Sequence, residues 1–323
     1  MAKINSVSIS ARITLDLHNL NNEGAEGNQQ QTRMVHIIDQ NGRRAIVNAV
    51  SGDMFKHILV EHLVPLLEEA KQPLSPGAKV YSADRINALN DDFNKFCDDK
   101  KVTESEIMTR MLTDCSLTDM AGALVTRGRA VGRKSVVEFG WVVGLPAYAN
   151  GEPVTTTEQY FHVKYAPEGR GGATGGDTVA EKQAIFHRPA SSGIYALICN
   201  LDLYRIGLND ITRQPVVSKP DRERRAKALI HALAATLLKP AGAQRNTQNP
   251  HIVNCEGIVA TSATSLPAPT VSPLHDNYRE EIGKTAAVLN AIRSDGVQVV
   301  SFASLSEGVK VLADIAGRLE LPS

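Results

Sequence analysis

An α+β fold is predicted by three observations: a first strand of alternating apolar and polar residues, two helices opened by a serine cap or a proline, and apolar strand-like runs between them. From Val7 to Leu17 the alternation is unbroken. Val7, Ile9, Ala11, Ile13, Leu15 and Leu17 form one face, and Ser8, Ser10, Arg12, Thr14 and Asp16 the other. This reads as a half-buried strand with a polar face. The stretch from His18 to Thr32 is rich in Asn, Gln, Gly and Glu and reads as a loop. Asn41-Gly42 then marks a hairpin turn between Met34–Asp39 and Arg43–Val47.

Ser51 is placed to cap a helix from Gly52 to Glu69, with Phe55, Leu59, Leu63 and Leu66 or Leu67 as its apolar stripe. Pro65 is expected to kink that helix or end its regular part. From Pro73 to Arg133 the pattern is helical but broken and polar, with Ala88–Cys97 and Thr103–Leu112 the better helices, so the block reads as an insertion outside the core. Ser135–Gly144 is a dense apolar strand, and Thr157–Tyr165 alternates again. The segment Glu168–Asp177 is too glycine-rich to order alone, so Thr155–Arg188 reads as a long hairpin with a flexible tip. Ser192–Leu208 is strand-like. A helix over Asp221–Lys239 lies between two prolines, and His251–Thr264 is another strand. Tyr278–Ile292, Val297–Phe302 and Ser304–Leu319 read as helix, strand, helix. Without the insertions and the tail the order is βαββαβ, that of ferredoxin-like (RRM-like) domains, a frame that by itself specifies no function.

With 323 residues the chain can form two modest domains or one with large insertions. Its 35 basic and 35 acidic residues cancel, so a nucleic-acid binder of this composition must segregate its cations into a groove. Aromatic content of 5% disfavours a surface of many base-stacking platforms. Cys97, Cys115, Cys199 and Cys255 form no CxxC pair, so neither a zinc ribbon nor a redox motif is indicated. The opening residues lead straight into a strand pattern, and no apolar run approaches a membrane span. A cytoplasmic protein is therefore expected, without membrane, metal or cofactor.

His57 and His62 mimic a zinc-protease helix, but they stand five residues apart, roughly 140° around the axis, and cannot clasp one metal. Glu168–Asp177 lacks the Gly-Lys-Ser/Thr end of a phosphate loop, and no Gly-x-Ser-x-Gly elbow is present. The cationic groups are more informative. Arg127, Arg129, Arg133 and Lys134 precede a strong strand and fit either phosphate contacts or a solvated loop. Arg222, Arg224, Arg225 and Lys227 fit best as a solvated helix face. Ser51 opens a helix whose free N–H groups could hold an anion beside Lys56 and His57, although an ordinary capped helix fits as well. Gly242, Gln244, Arg245 and Asn246 follow a helix and could approach phosphate or ribose, or form a polar turn.

Four segments, Ser8–Leu20, Asn48–His62, Arg133–Gly144 and Lys239–Asn249, resemble in this order the CRISPR-associated DevR-type family, the repeated backbone subunit of type I (I-B-like) Cascade complexes. The resemblance implies a hand-shaped molecule: palm at 1–72, helical finger insertion at 73–134, palm strand at 135–154, β-hairpin thumb at 155–190, and the second part of the palm with C-terminal helices at 191–323. It implies helical stacking of copies along a CRISPR guide RNA, contact with other Cascade subunits, and pairing of the guide with target DNA in short segments. Ser51, Lys56 and His57, with Arg12, Arg129, Arg133 and Lys134, become the RNA-binding candidates on this reading. Gly242, Gln244 and Arg245 match the glycine loop, although Gln244 stands where a lysine is expected. Tyr160, Lys164, Lys182 and Arg188 would serve the thumb. No catalytic residue is expected. Two alternatives are a metal-dependent target-RNA endonuclease using Asp16, Asp39 or Asp53, and a DNA-binding autoregulator.

Overall fold

In a computed structural model, residues 2–165, 183–240, 246–294 and 296–321 are described. The strands used below are β1 (Ser6–His18), β2 (Met34–Ile38), β3 (Arg44–Val50), β4 (Val137–Phe139), β5 (Val142–Gly144), β6 (Thr157–Tyr165), β7 (Gln183–Leu201), β8 (His251–Ser262) and β9 (Val297–Phe302). The helices are α1 (Gly52–Glu69), α2 (Asp91–Asp98), α3 (Glu104–Thr113), α4 (Ser116–Ala121), α5 (Lys219–Leu238), α6 (Tyr278–Ile292) and α7 (Leu305–Arg318). Shorter pieces are given by residue range.

The result is a mixed α/β structure around one large sheet, ordered β9-β8-β1-β7-β5-β3-β2 with every neighbour antiparallel. Side-chain alternation in β1 dictates how that sheet is used. Ile9 stands between Cys199 and Val259, and Ile13 between Tyr195 and Cys255, so matching rows bury on one face. Helices α1 and α5 lie together over this face, and α7 packs against α5, β8 and β9. Gly257 sits where a Cβ would come within 2.5 Å of the Ser10 carbonyl and 2.7 Å of the Phe302 ring, so glycine permits the close approach there.

The opposite face of β1 is covered as well, which the alternating pattern alone did not predict. Residues 263–277 cross it. Ser6 Oγ accepts from the Ala268 N–H at 3.0 Å, Ser8 Oγ donates to the Pro269 carbonyl at 2.7 Å, and Arg12 Nε donates to the Pro273 carbonyl at 2.9 Å. Ile258, Ala260, Ala268, Tyr278 and Ile282 close a second, smaller apolar cluster. Ser6 and Ser8 are thus buried polar residues satisfied by a crossing backbone, while the Ser10 hydroxyl is buried without a partner among the described residues. The alternation also ends early. Leu17 has φ +53° and is 48% exposed, at the point where the β1–β7 register shifts.

Two further expectations change, and a third, a kink or an end at Pro65, is narrowed. The polar stretch His18–Thr32 contains a β-hairpin, Asn22–Glu26 with Gln29–Thr32, and buries His18, Asn19 and Asn21. Burial holds His18 neutral by pulling its pKa down to about 4. Helix α1 runs through Pro65 to Glu69. Pro65 is on the exposed side, while Leu63, Val64 and Leu67 anchor the helix on the other. The broken helical block at 73–134 is not peripheral to the core. Phe93, Met108, Met111, Leu112, Leu117 and Met120 are buried in the same apolar cluster as β1 and α5.

Helix starts follow the expected chemistry. Ser51, Thr103, Ser218 and Ser304 each accept a backbone N–H at the head of a helix, and Thr103 forms a full capping box with Glu106. Strands β6 and β7 pair from Thr157↔Ser191 to Tyr165↔Gln183, so β7 is one long strand running from the hairpin into the centre of the sheet. The tip between them, including Lys182, lies outside the described residues, as do Gly242, Gln244 and Arg245 and the side chain of Lys164.

Candidate nucleic-acid interface

The apolar run Ser135–Gly144 forms two short strands rather than one. At Gly140 and Trp141 it leaves strand geometry, and the Gly140 N–H bonds the Ile198 carbonyl at 3.1 Å. A Cβ at Gly140 would meet the Ile198 side chain at 2.6 Å. This break turns Trp141 outward, 46% exposed. It also brings the break against the start of α1: a Cβ on Gly52 would lie 2.6 Å from the Phe139 carbonyl oxygen and 3.1 Å from that of Gly140. Gly52→Ala is therefore expected to push α1 away from the β4–β5 break and cost about 1–3 kcal/mol of stability, measured by thermal or urea unfolding.

Between these elements lies a cleft of about 370 Å³, lined by Ser51, Gly52, Asp53, Lys56, Ser135, Glu138, Phe139, Trp141 and Arg33 among others. Ser51 Oγ accepts the Met54 N–H at 3.2 Å, and Asn21 Oδ1 takes both the Ser51 N–H, at 3.3 Å, and its hydroxyl, at 3.2 Å. The cap is thus held from behind by a buried asparagine, and the remaining first-turn N–H groups of α1 define the positive end of its dipole. Lys56 is half-buried at this cleft with no carboxylate at ion-pair distance among the described residues. Burial first, and the nearby Arg85 charge second, lower its pKa, while Asp53 and Glu138 partly oppose this. The Arg33 guanidinium lies 5.2 Å from the Trp141 ring centroid and also pairs with Glu23. Glu138 is drawn to Lys134 Nζ at 2.6 Å, which leaves Lys56 the unpaired cation of the cleft among the described residues.

Of the candidates read from sequence, Ser51 and Lys56 therefore meet in one cleft. His57 does not line it; it is exposed and faces Glu61 at 3.3 Å. Arg12 is engaged on the covered face of the sheet, where it pairs with Asp276 at 2.9 Å and lies 5.6 Å from the Tyr278 ring centroid. Arg129 donates to the Asp99 and Val102 carbonyls just beyond α2, from the turn of the 123–133 hairpin. Lys134 is exposed and paired as above.

Arg133 corrects the sequence reading most clearly. Its side chain is fully buried, with its guanidinium on Asp119 at 2.8 Å, Asp210 at 2.9 Å and the carbonyls of Asp119, Arg205 and Leu208. Two members of the supposed solvated face, Arg222 and Arg225, are buried too. Arg225 reaches Asp119 at 2.8 Å, Gln72 Oε1 and the Leu112 carbonyl; Arg222 reaches the Ile206 and Tyr204 carbonyls. Asp119 is the centre of this network, accepting from Arg133, Arg225 and the Gly207 N–H. Sequence gives no sign of it, because a buried arginine and a surface arginine look alike until the carboxylate that faces it is known.

Sequence reasoning also missed Arg33 and Trp141. The available signal was the Gly-Trp pair inside an otherwise apolar run, where glycine often marks a break in a strand.

On the hairpin, Tyr160 is 43% and Phe161 75% exposed. The Phe161 and His187 rings are 4.5 Å apart. Arg188 lies 4.8 Å from the Phe186 ring centroid and donates to Thr247 Oγ1 at 3.2 Å. Asp39, an alternative catalytic candidate, is tied into its own turn. Burial raises its pKa, but the Arg43 N–H and guanidinium, the Tyr148 hydroxyl and the Asn41 N–H outweigh that and bring it to about 2. Among the described residues no three His, Cys, Asp or Glu side chains converge to hold a metal, and no helix is long and apolar enough to cross a membrane. All four cysteines are buried and unpaired.

The family model for the CRISPR-associated negative auto-regulator DevR/Csa2 matches residues 9–282. The curated CRISPR-associated protein Cas7/Csa2 1 of Saccharolobus solfataricus is 25% identical over 298 residues, covering 89% of this chain and 90% of that protein. Among solved structures, a chain of a CRISPR RNA-guided surveillance complex in a pre-nicking state aligns with TM-score 0.49 and 13% identity, over 96% of this chain and all of that one. A chain of another CRISPR RNA-guided surveillance complex aligns with TM-score 0.47 and 12% identity, over 97% and 98% of the two chains. The family match takes in most of β1, the α1 cleft, the hairpin and the start of α6, and the chain belongs to the DevR/Csa2 family of CRISPR-associated proteins.

Proposed function

We propose that this chain is a repeated backbone subunit of a CRISPR surveillance complex, which binds guide RNA along its phosphate backbone and stacks helically with copies of itself. The cleft at the start of α1 carries the reading. First-turn N–H groups, a serine cap and an unpaired, half-buried Lys56 suit a phosphate, and they offer no pattern that reads bases. A zero net charge fits such a subunit, because sequence reading is delegated to guide pairing and the cations need only line one side. Family membership and the Cas7/Csa2 relative from Saccharolobus solfataricus support the same reading. The partners on this reading are guide RNA, target DNA through the guide, further copies and other subunits of the complex. The protein is read as a non-catalytic, cytoplasmic component. Purification from the native host with sequencing of the bound RNA tests it: repeat-spacer transcripts are expected, and their absence would sink the proposal.

The hand-shaped organisation belongs to the same reading. The central strand order β8-β1-β7-β5, with α1 and α5 together on one face, supports a ferredoxin-like palm. Residues 73–134 are then the finger and 155–190 the thumb. The exposed aromatics of β6 support an arm that works against a partner, since Tyr160 and Phe161 have no core to join. Replacing Gly169–Gly176 with a short turn is expected to leave the melting temperature unchanged and abolish ordered assemblies on RNA, as seen by electron microscopy. Normal assembly of the shortened protein would remove the thumb assignment.

A further inference from the structure

We propose that Trp141 is a base-stacking platform, so that the α1 cleft holds one nucleotide with its phosphate on the helix start and Lys56, and its base on the indole. The proposal rests on the RNA reading above and adds a contact to it. Trp141 is the chain's one tryptophan, and it interrupts an apolar run whose neighbours Val137 and Val142 are buried. Core packing would have turned such a ring inward. Instead the break at Gly140 leaves it 46% exposed on the wall of the cleft that contains Ser51 and Lys56.

Its orientation is braced by charge: the Arg33 guanidinium lies 5.2 Å from the ring centroid, and Arg33 is itself held by Glu23. Glu23 belongs to the short hairpin Asn22–Glu26 and Gln29–Thr32, and the Thr32 hydroxyl bonds the Asn21 carbonyl at 2.8 Å. Asn21 in turn holds the Ser51 cap. Platform and phosphate site are therefore joined through one run of residues, 21–33, and are fixed relative to each other. An aromatic face beside a cation and a set of free N–H groups is the arrangement that takes a single-stranded nucleotide without selecting its sequence, because every base offers a π-face.

Trp141 emission reports this position alone, so the full-length chain can be titrated with a 5′-fluorescein-labelled oligouridylate and with an abasic oligomer of equal phosphate number. Anisotropy measures binding and tryptophan emission measures stacking. Quenching by oligouridylate and not by the abasic oligomer is expected. Trp141→Leu should weaken oligouridylate binding about tenfold and leave abasic binding unchanged, and Trp141→Phe should restore part of the loss. Oligouridylate binding with unchanged emission would overturn the platform and leave the RNA reading standing. So would an equal loss for both oligomers in Trp141→Leu. Absence of binding by either oligomer would defeat the RNA reading and the platform with it. An emission change that follows protein concentration without RNA would assign Trp141 to a contact between copies and overturn the proposal.

Discussion

Asp119→Ala is expected to cost about 3–5 kcal/mol of folding stability, the range for removing one partner of a buried ion pair. Asp119 is fully buried and takes Arg133 on Oδ1 and Arg225 on Oδ2, each at 2.8 Å, with the Gly207 N–H between them. These partners come from the hairpin that ends the 73–134 block, from α5 and from the turn after β7. Without the carboxylate two guanidinium groups remain desolvated, and the Asp210 carboxylate near Arg133 cannot reach both roles because it already serves Arg205. Urea unfolding should show the loss as a lower midpoint with an unchanged slope. The double variant Asp119→Ala with Arg225→Met should recover part of it, since one unpaired charge is then removed. A single variant that unfolds at the parent midpoint would show that the network contributes nothing net. The effect belongs to the fold, and RNA contacts should weaken only as far as the chain unfolds.

Lys56→Glu is expected to reduce RNA retention by one to two orders of magnitude, on the order of 1.4–2.8 kcal/mol, and by the same factor for every spacer sequence. The new carboxylate would join Asp53 and Glu138 at the mouth of α1, where the free N–H groups alone would face a phosphate. Lys56→Gln separates charge from shape. It should lower the slope of log affinity against log salt by about one unit, the signature of one fewer released counterion. Filter binding or anisotropy across a salt series measures both. A loss that depends on spacer sequence would mean that this cleft reads bases, and an unchanged salt slope would take Lys56 out of the interface. Thermal melting should stay close to the parent, because Lys56 makes no ion pair among the described residues whose loss would matter.

Much of the architecture is legible in the order of residues along the chain. The helices read at 52–69, 221–239, 278–292 and 304–319 lie within two residues of the observed ones, from a cap, prolines and apolar spacing. The Asn41-Gly42 turn follows from its need for positive φ, and Gly42 has φ +77°. These features are local: a cap, a turn or an amphipathic face needs only its own few residues to be recognised.

The site divides along the same line. Ser51 and Lys56 are found from sequence because a cap and a lysine in the second turn after it are set by position along one helix. Trp141 and Arg33 are not, since the break that exposes the indole depends on Ile198 and Gly52 approaching from two other elements. The cationic groups mislead for a related reason. Arg133, Arg222 and Arg225 look like surface charge, and only the placement of Asp119 and Asp210, or of facing carbonyls, makes their burial tolerable. Likewise the serines of β1 mark only a polar face by pattern, until residues 263–277 cross it and supply backbone partners to Ser6 and Ser8. Sequence by itself determined the main helices, most of the central strands, the Ser51 cap and the family resemblance, because each is written in short-range pattern. The tertiary structure alone decided which polar groups are buried and which are presented, because desolvation is settled by what packs opposite a side chain, often more than a hundred residues away, as for Arg225 and Asp119.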